Sequence, residues 1–208
     1  MAESVTLTTS DGETLEAELA LPDNAQAIVV ITHPHPLMGG DMHTPVPDGF
    51  FRALEDTDSA ALRFNFRGVG QSTGTHDKGG AERLDVAAAI EHAALAMPEM
   101  PIIIAGWSFG ADVALTVEDE RVVGWFLAAP PLSVVDPGEM SAAPCAAPKV
   151  LAIGENDQFN RPAKARVTVA NWQNTQVTTI PGADHFFGPA LPTLIAAFTT
   201  FVDSAVRS

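Results

Sequence analysis

Six short apolar runs, separated by turn residues and helical patterns, constrain the fold of this chain more than any other feature. Each run has four to seven residues, many of them β-branched, and carries apolar side chains on both faces. Strands of this kind are buried on both sides, and their alternation with helices is typical of an α/β fold with a parallel sheet. The runs predict strands over residues 27–32, 60–64, 102–106, 122–128, 150–154 and 177–180.

The segments around these runs complete the predicted organisation. Residues 5–9 and 15–21 flank the turn sequence Ser-Asp-Gly-Glu and predict a β-hairpin. A length of 208 residues fits a single domain, 1–208, in which the stretch 133–148, rich in Pro, Ala and Ser, is a loop. Apolar residues at helical spacing predict helices over residues 81–97, 109–117 and 191–206.

The charge and the cysteine content exclude several classes of partner. Lys and Arg number 11 and Asp and Glu number 26, which gives a net charge of −15. Such a chain lacks the basic surface that binds nucleic acid, and anionic membranes should repel it. A single cysteine, Cys145, precludes an intrachain disulfide framework.

The N-terminal sequence and the length of the apolar runs predict a cytoplasmic protein. The chain begins Met-Ala-Glu-Ser-Val-Thr, without the basic and apolar regions of a signal peptide. The apolar runs have strand length, far below the ~20 residues of a membrane helix, so no membrane segment is expected. A monomer and a homodimer are both compatible with the sequence.

One motif predicts a nucleophile. The sequence Gly-Trp-Ser-Phe-Gly at residues 106–110 directly follows the apolar run 101–105 and opens a helical stretch. In a strand–turn–helix of this kind the central residue, Ser108, lies on a tight, strained turn. Larger side chains in place of the two flanking glycines would crowd that turn. The alternative interpretation is an ordinary glycine-rich turn between a strand and a helix.

His185 and Asp157 are predicted to activate this serine. A serine hydroxyl needs a general base, and the base needs an acid that orients it. In sites of this type the acid and then the histidine follow the serine along the chain. His185 is the only histidine after Ser108, and it lies just beyond the last predicted strand. Asp157 lies in a turn after the preceding strand and is the predicted acid, with Asp136 as the first alternative and Glu155 as the second.

The loop after the first parallel strand, residues 32–40, is predicted to complete an oxyanion hole. One N–H group comes from Phe109, the residue after the serine, and the other comes from this loop. The two prolines of the loop have no N–H, which leaves His35 and Leu37 as the nearest donors, and we favour His35. The histidines of this segment lack the carboxylate or cysteine cluster of a metal site, so no metal is expected.

A second glycine-containing loop follows the predicted strand 60–64. Its sequence over residues 67–74, Arg-Gly-Val-Gly-Gln-Ser-Thr-Gly, has neither of the spacings that cradle nucleotide phosphates. We expect Arg67 to tie loops together near the site by hydrogen bonds to backbone carbonyls. Direct contact of its guanidinium with a substrate carboxylate is the alternative.

Three motifs in this order resemble the α/β-hydrolase superfamily, and more closely its small, lidless bacterial branch of dienelactone-hydrolase-like proteins. They are His-Pro-His-Pro-Leu-Met-Gly-Gly at 33–40, Arg-Phe-Asn-Phe-Arg-Gly-Val-Gly-Gln-Ser at 63–72, and the serine motif at 106–110. The resemblance covers nearly the whole chain. It implies an α/β-hydrolase fold, with a mostly parallel central sheet flanked by helices and no cap domain.

The same resemblance implies the chemistry of the site. It implies a Ser108–His185–Asp157 triad with an oxyanion hole from His35 and Phe109. It also implies hydrolysis of carboxylic esters or thioesters through an acyl-enzyme, without a cofactor. Dienelactone hydrolases proper usually carry a cysteine at the position of Ser108, and this departure argues against a specific lactone substrate.

The interval 133–148 is too short for a helical cap, so an open, shallow site is expected. An open site fits short acyl esters of small molecules better than long-chain lipids. Phe109 and Phe187 are candidate walls, but each aromatic candidate is equally compatible with the core. The side chains expected to bind substrate are Leu37, Met38, Trp107, Phe159 and Phe186.

Three other functions compete with a serine esterase. A thioesterase or an acyltransferase would use the same triad with another leaving group or acceptor. A binding protein that had lost catalysis would lack a member of the triad, and none is missing here. A peptidase would need a propeller or cap to select peptides, for which the chain has no room.

Overall fold

Residues 2–55 and 57–207 are described by a computed structural model. The predicted domain 1–208 therefore includes three residues, Met1, Asp56 and Ser208, that lie outside the described part. The described strands are β1 (Ala2–Thr8), β2 (Thr14–Ala20), β3 (Ala27–Thr32), β4 (Ser59–Phe64), β5 (Ile102–Trp107), β6 (Val122–Ala128), β7 (Lys149–Gly154) and β8 (Thr175–Ile180). The described helices are α1 (Pro45–Ala53), α2 (Glu82–Ala96), α3 (Phe109–Ala114), α4 (Pro162–Thr168) and α5 (Leu191–Val206).

The strands form an eight-stranded sheet in the order β1-β2-β4-β3-β5-β6-β7-β8. β1 and β2 are the predicted hairpin, and β2 pairs antiparallel with β4. The other neighbouring strands pair in parallel. The six runs form β3 to β8, as predicted. The strands β3 to β7 are buried almost throughout, as expected of strands without a polar face, whereas the edge strand β8 is mostly half-buried.

Helices cover both faces of the sheet. Val46 of α1 and Phe198 of α5 belong to the core on one face, and Val86 of α2 and Val113 of α3 belong to the core on the other. Two helices, α1 and α4, were not predicted. Both begin with proline in the first turn, where its missing N–H costs nothing, although proline within a sequence usually indicates a helix end.

The expectation that no segment has the length and composition of a membrane helix is wrong for α5. The described residues include one such segment, Gly188–Val206, of 19 residues. In the fold, α5 buries Leu194, Phe198 and Val202, and it packs against α1 and β6. Its apolar face thus serves as part of the core between helix and sheet.

The carboxyl ends of β5, β7 and β8 lie at the same edge of the sheet, because these strands run in parallel. Residues 129–148, all of them described, connect β6 to β7. They form irregular chain with one 3₁₀ turn, Pro137–Glu139, and no cap. The edge that carries the ends of β5, β7 and β8 therefore lacks a helical cover from this connection.

Candidate active site

Ser108 lies at the sharp turn between β5 and α3. Its backbone has φ 54° and ψ −119°, a conformation that non-glycine residues rarely adopt. Its N–H donates to the carbonyl oxygen of Ala128 at 2.9 Å, and its own carbonyl accepts from the N–H of Ala111 at 3.0 Å. Tertiary contacts of this kind hold the serine in its strained conformation, with its side chain directed out of the core.

The two glycines of the motif allow α3 to lie close to β3. A Cβ at position 106 would lie 2.5 Å from Thr32 Oγ1 and 2.9 Å from Ala111 Cα. A Cβ at position 110 would collide with the carbonyl oxygen of His33, which is backbone and cannot move aside. The glycines are thus required by the close approach of two elements, as the motif predicted.

A chain of hydrogen bonds links Ser108, His185 and Asp157. His185 Nε2 lies 2.8 Å from Ser108 Oγ, and His185 Nδ1 lies 2.9 Å from Asp157 Oδ2. The three residues come from the ends of β5, β8 and β7. This arrangement brings the predicted nucleophile, base and orienting acid within hydrogen-bond reach, which is the geometry that acyl transfer by serine requires.

The carboxylate of Asp157 is fully buried and is held by its own backbone neighbours. Its Oδ1 accepts from the N–H groups of Phe159 at 2.8 Å and Asn160 at 3.0 Å. Burial raises the pKa of Asp157, but the hydrogen bonds from His185 and these two amides, together with the imidazole's charge, bring the pKa below its ordinary value. The site therefore keeps this carboxylate ionised, with Oδ2 free to orient His185.

The two alternative acids are engaged elsewhere. Asp136 is exposed and accepts from the N–H of Gly138 at 2.8 Å. Glu155 is exposed and accepts from the N–H of Gly182 at 2.8 Å. The structure thus brings Asp157, and neither alternative, to the histidine.

His185 is packed among aromatic side chains that restrict its ring. The rings of Phe159 and Phe186 lie 4.5 Å and 5.5 Å from it, centroid to centroid. Trp107 Nε1 donates to the backbone carbonyl of His185 at 3.2 Å, which ties the loop after β8 to the end of β5. These contacts hold the imidazole in place without using either of its nitrogens.

In the loop after β3, the hydrogen bonds of His33 fix the chain that precedes His35. Phe66 donates its N–H to His33 Nε2 at 2.9 Å, so the neutral ring carries its proton on Nδ1 and donates it to the carbonyl of Pro34 at 2.7 Å. The Pro34–His35 peptide is trans, and the N–H of His35 therefore points away from that buried carbonyl. The structure gives the N–H groups of His35 and Phe109 no hydrogen-bond partner among the described residues.

Leu37 does not occupy the position expected of it. Its N–H donates to His35 Nδ1 at 3.2 Å, and its side chain is 75% exposed and lies outside the pocket described below. The pocket therefore lends no support to the prediction that Leu37 binds substrate, because the 3₁₀ turn Pro36–Met38 leaves this side chain in solvent.

A pocket of about 360 Å³ opens above Ser108 and His185, and we refer to it as the apolar pocket. Its lining includes four of the five predicted substrate-binding side chains, Met38, Trp107, Phe159 and Phe186. Phe109 and Phe187, by contrast, are buried in the core and do not line it. The remaining lining residues are Pro34, His35, Gly39, Gly40, Thr44, Pro131, Ser133 and Val134.

Arg67 makes different contacts from those predicted. Its buried guanidinium binds Asp85 Oδ1 through Nε at 2.9 Å and through Nη2 at 2.7 Å, and it binds Asp11 Oδ2 through Nη1 at 2.9 Å. The prediction of bonds to backbone carbonyls is wrong, because a buried guanidinium is stabilised best by carboxylates. Neither Arg67 nor any other Lys or Arg is among the residues that line the apolar pocket.

Sequence reasoning missed one residue beside the site, Asp112. It is fully buried in α3, four residues after Ser108, and its carboxylate accepts from three backbone N–H groups of the loop that follows β6. The signal was available: a single carboxylate stands in the otherwise apolar helix Phe-Gly-Ala-Asp-Val-Ala. Carboxylates in fully buried positions are rare unless they are paired.

Comparisons with known proteins place these features in a family. Residues 25–193 match the family model described as an alpha/beta hydrolase domain. A protein of Rickettsia prowazekii (strain Madrid E), named uncharacterized protein RP471, is 35% identical over an alignment of 170 residues. The match covers 77% of this chain and 71% of that protein.

Two solved structures are similar over almost the whole length. One is described as an alpha-beta serine hydrolase homologue from Coxiella burnetii, with 29% identity, a TM-score of 0.83, and coverage of 99% of this chain and 96% of that chain. The other, XC6422 from Xanthomonas campestris, is described as an a/b serine hydrolase without lid, with 29% identity, a TM-score of 0.84, and coverage of 99% and 94%. With its mostly parallel sheet, its strained serine turn and this match over residues 25–193, the chain belongs to the α/β-hydrolase family.

Proposed function

We propose that this protein is a serine hydrolase that cleaves short-chain carboxylic esters through an acyl-enzyme. The observation that carries the proposal is the hydrogen-bonded chain from Asp157 through His185 to Ser108, which opens onto the apolar pocket. The descriptions of two similar proteins as serine hydrolases support the same reaction class.

Each member of the chain has one role in this mechanism. His185 Nε2 takes the proton of Ser108 Oγ as the serine attacks the ester carbonyl, and Asp157 stabilises the imidazolium that forms. The backbone N–H groups of His35 and Phe109 stabilise the oxyanion of the tetrahedral intermediate. His185 then gives the proton to the leaving alcohol, and water releases the acyl group by the same route.

The size and polarity of the apolar pocket favour a short, uncharged acyl group. Its volume of about 360 Å³ is near the lower end of small-molecule sites, roughly 300–1,000 Å³. The described lining side chains include no Lys, Arg, Asp or Glu. A long chain would leave much of its apolar surface in water, since no cap covers the site.

Hydrolysis of p-nitrophenyl esters from acetate to palmitate, by the parent protein and by Ser108→Ala, tests the proposal. The parent should cleave short-chain esters fastest, and the variant should lose at least about 10³-fold in turnover because no nucleophile remains. Circular dichroism and thermal melting should show that the variant keeps its fold.

Four outcomes would contradict parts of this proposal. Comparable activity of Ser108→Ala would remove the serine mechanism. Equal rates on butyrate and palmitate would remove the preference for short chains. A folded parent that is silent on oxygen esters but cleaves thioesters would be a thioesterase, and silence on both panels would indicate a binding protein.

A further inference from the structure

Asp112 connects the helix that carries Ser108 to one wall of the apolar pocket. Its backbone N–H donates to the carbonyl of Ser108 at 3.2 Å, so it lies one helical turn from the nucleophile. Its Oδ1 accepts from the N–H of Leu132 at 2.9 Å. Its Oδ2 accepts from the N–H groups of Ser133 and Val134, each at 3.0 Å.

The loop that this carboxylate holds is strained and lines the pocket. Leu132 has φ 53°, which costs a non-glycine residue roughly 1–3 kcal/mol unless surrounding contacts impose it. Pro131, Ser133 and Val134 line the apolar pocket. We call residues 131–134 the pocket wall.

The backbone amides are the main compensation for this buried charge. Burial raises the pKa of Asp112 to about 6, and the three amides oppose the rise, as does the charge of His185 to a smaller extent. Three successive N–H groups converging on one anion form a concave backbone site that loses its shape without the anion. The mechanism proposed above does not use this carboxylate.

We propose that Asp112 is a positioning residue that fixes the pocket wall and thereby limits the length of the acyl chain that the site accepts. The second half of this inference rests on the proposed esterase function. The carboxylate acts on the substrate through the pocket wall. With fewer acceptor atoms at position 112, the wall relaxes outward and the pocket accepts a longer acyl chain.

The test compares Asp112→Asn with Asp85→Asn at pH 8. The amide keeps the size of the side chain but has one acceptor oxygen in place of two. Asp85 is a matched control, because it is also a fully buried carboxylate on a helix, but it holds Arg67 and not the pocket wall. Each protein is studied by amide hydrogen exchange and on the ester panel.

We expect exchange in peptides that contain residues 132–134 to be about tenfold faster or more in Asp112→Asn, since hydrogen bonds to a charged group are lost. Asp85→Asn should leave these peptides at the parent rate. On the ester panel, Asp112→Asn should lower KM for octanoate relative to acetate several-fold, whereas Asp85→Asn should leave this ratio at the parent value.

Two results would overturn the inference. One is a folded Asp112→Asn with parent-like exchange at 132–134 and a parent-like chain-length profile; the other is an equal change of that profile in Asp85→Asn. If the parent cleaves no ester, the proposed function and the acyl-length limit both fail. Hydrogen exchange still decides in that case whether Asp112 holds the wall.

Discussion

Ser108 adopts a conformation that its neighbours impose on it. Its positive φ is compatible with function only because β6 holds its N–H and α3 holds its carbonyl. His185 is restrained in a comparable way, by aromatic rings on its faces and by Trp107 on its backbone. Preorganisation of this type reduces the reorganisation that would otherwise accompany proton transfer.

Substitution of Asp157 tests which carboxylate orients His185. Asp157→Asn should lower kcat on a short-chain ester by about 10⁴-fold, because the amide stabilises the wrong tautomer and does not stabilise the imidazolium. Asp136→Asn, at an exposed position in the connection between β6 and β7, should change kcat by less than about twofold. Steady-state kinetics of both variants checks this, and a large loss in Asp136→Asn would assign the acid differently.

At the scale of the elements, the sheet was the part most accessible to prediction. A strand with apolar residues on both faces has few alternatives, so β3 to β8 could be predicted to within a residue or two. The helix α1 could not be predicted, because its Pro-Val-Pro start indicates a break in regular structure as long as the tertiary contacts are unknown. The contacts of Asp112 could not be predicted either, because the three N–H groups that donate to its carboxylate lie twenty or more residues away in sequence.

The histidine of the β3 loop shows why site residues were only partly predictable. Sequence singled out His185 because no other histidine follows Ser108. It favoured His35, which lines the pocket, for the oxyanion hole, but it did not show that the buried His33 supports the loop. Only the fold shows that both nitrogens of His33 are engaged within the protein.

The loop after β3 should make folding stability depend on pH. Burial lowers the pKa of His33 from its ordinary value of 6.5 to about 4, so the unfolded chain binds this proton more readily. The contribution of the neutral His33 to the free energy of unfolding is therefore fully present above pH 6.5, and it is lost as the pH falls toward 4. Between pH 7 and pH 5 the loss is on the order of 2 kcal/mol.

Urea denaturation of the parent and of His33→Gln at pH 7 and pH 5 measures this contribution. The free energy of unfolding should fall with acidification by about 2 kcal/mol more in the parent than in the variant. Asp112, whose pKa is raised, contributes in the opposite direction, but it does so equally in both proteins. His43→Gln, at an exposed position, should behave as the parent, and an unchanged pH dependence in His33→Gln would contradict the argument.

At the scale of the whole molecule, net charge should influence which substrates are used. The chain carries a charge of −15, and the apolar pocket offers no described cationic side chain. The buried Arg63 and Arg67 are each paired with two carboxylates and are not available to a ligand. The surrounding field should therefore disfavour an anionic acyl group before it reaches Ser108.

Salt dependence distinguishes this effect from a simple misfit in the pocket. Raising the ionic strength from about 0.01 M to about 1 M shortens the Debye length from roughly 30 Å to roughly 3 Å. We expect kcat/KM for an ester with a carboxylate on its acyl group to rise several-fold over this range. A neutral ester with the same leaving group should change little, and equal responses of the two substrates would contradict an electrostatic origin.

The 3₁₀ turn Pro137–Glu139 lies at a place where the protein can gain length without losing its chemistry. Gly138 and Glu139 are exposed, and the pocket wall is already held by Asp112 before the chain reaches this turn. A segment inserted between Gly138 and Glu139 would leave the contacts that support Ser108 and His185 in place. The connection between β6 and β7 therefore has an exposed turn at which the chain can be lengthened independently of the residues that hold the site.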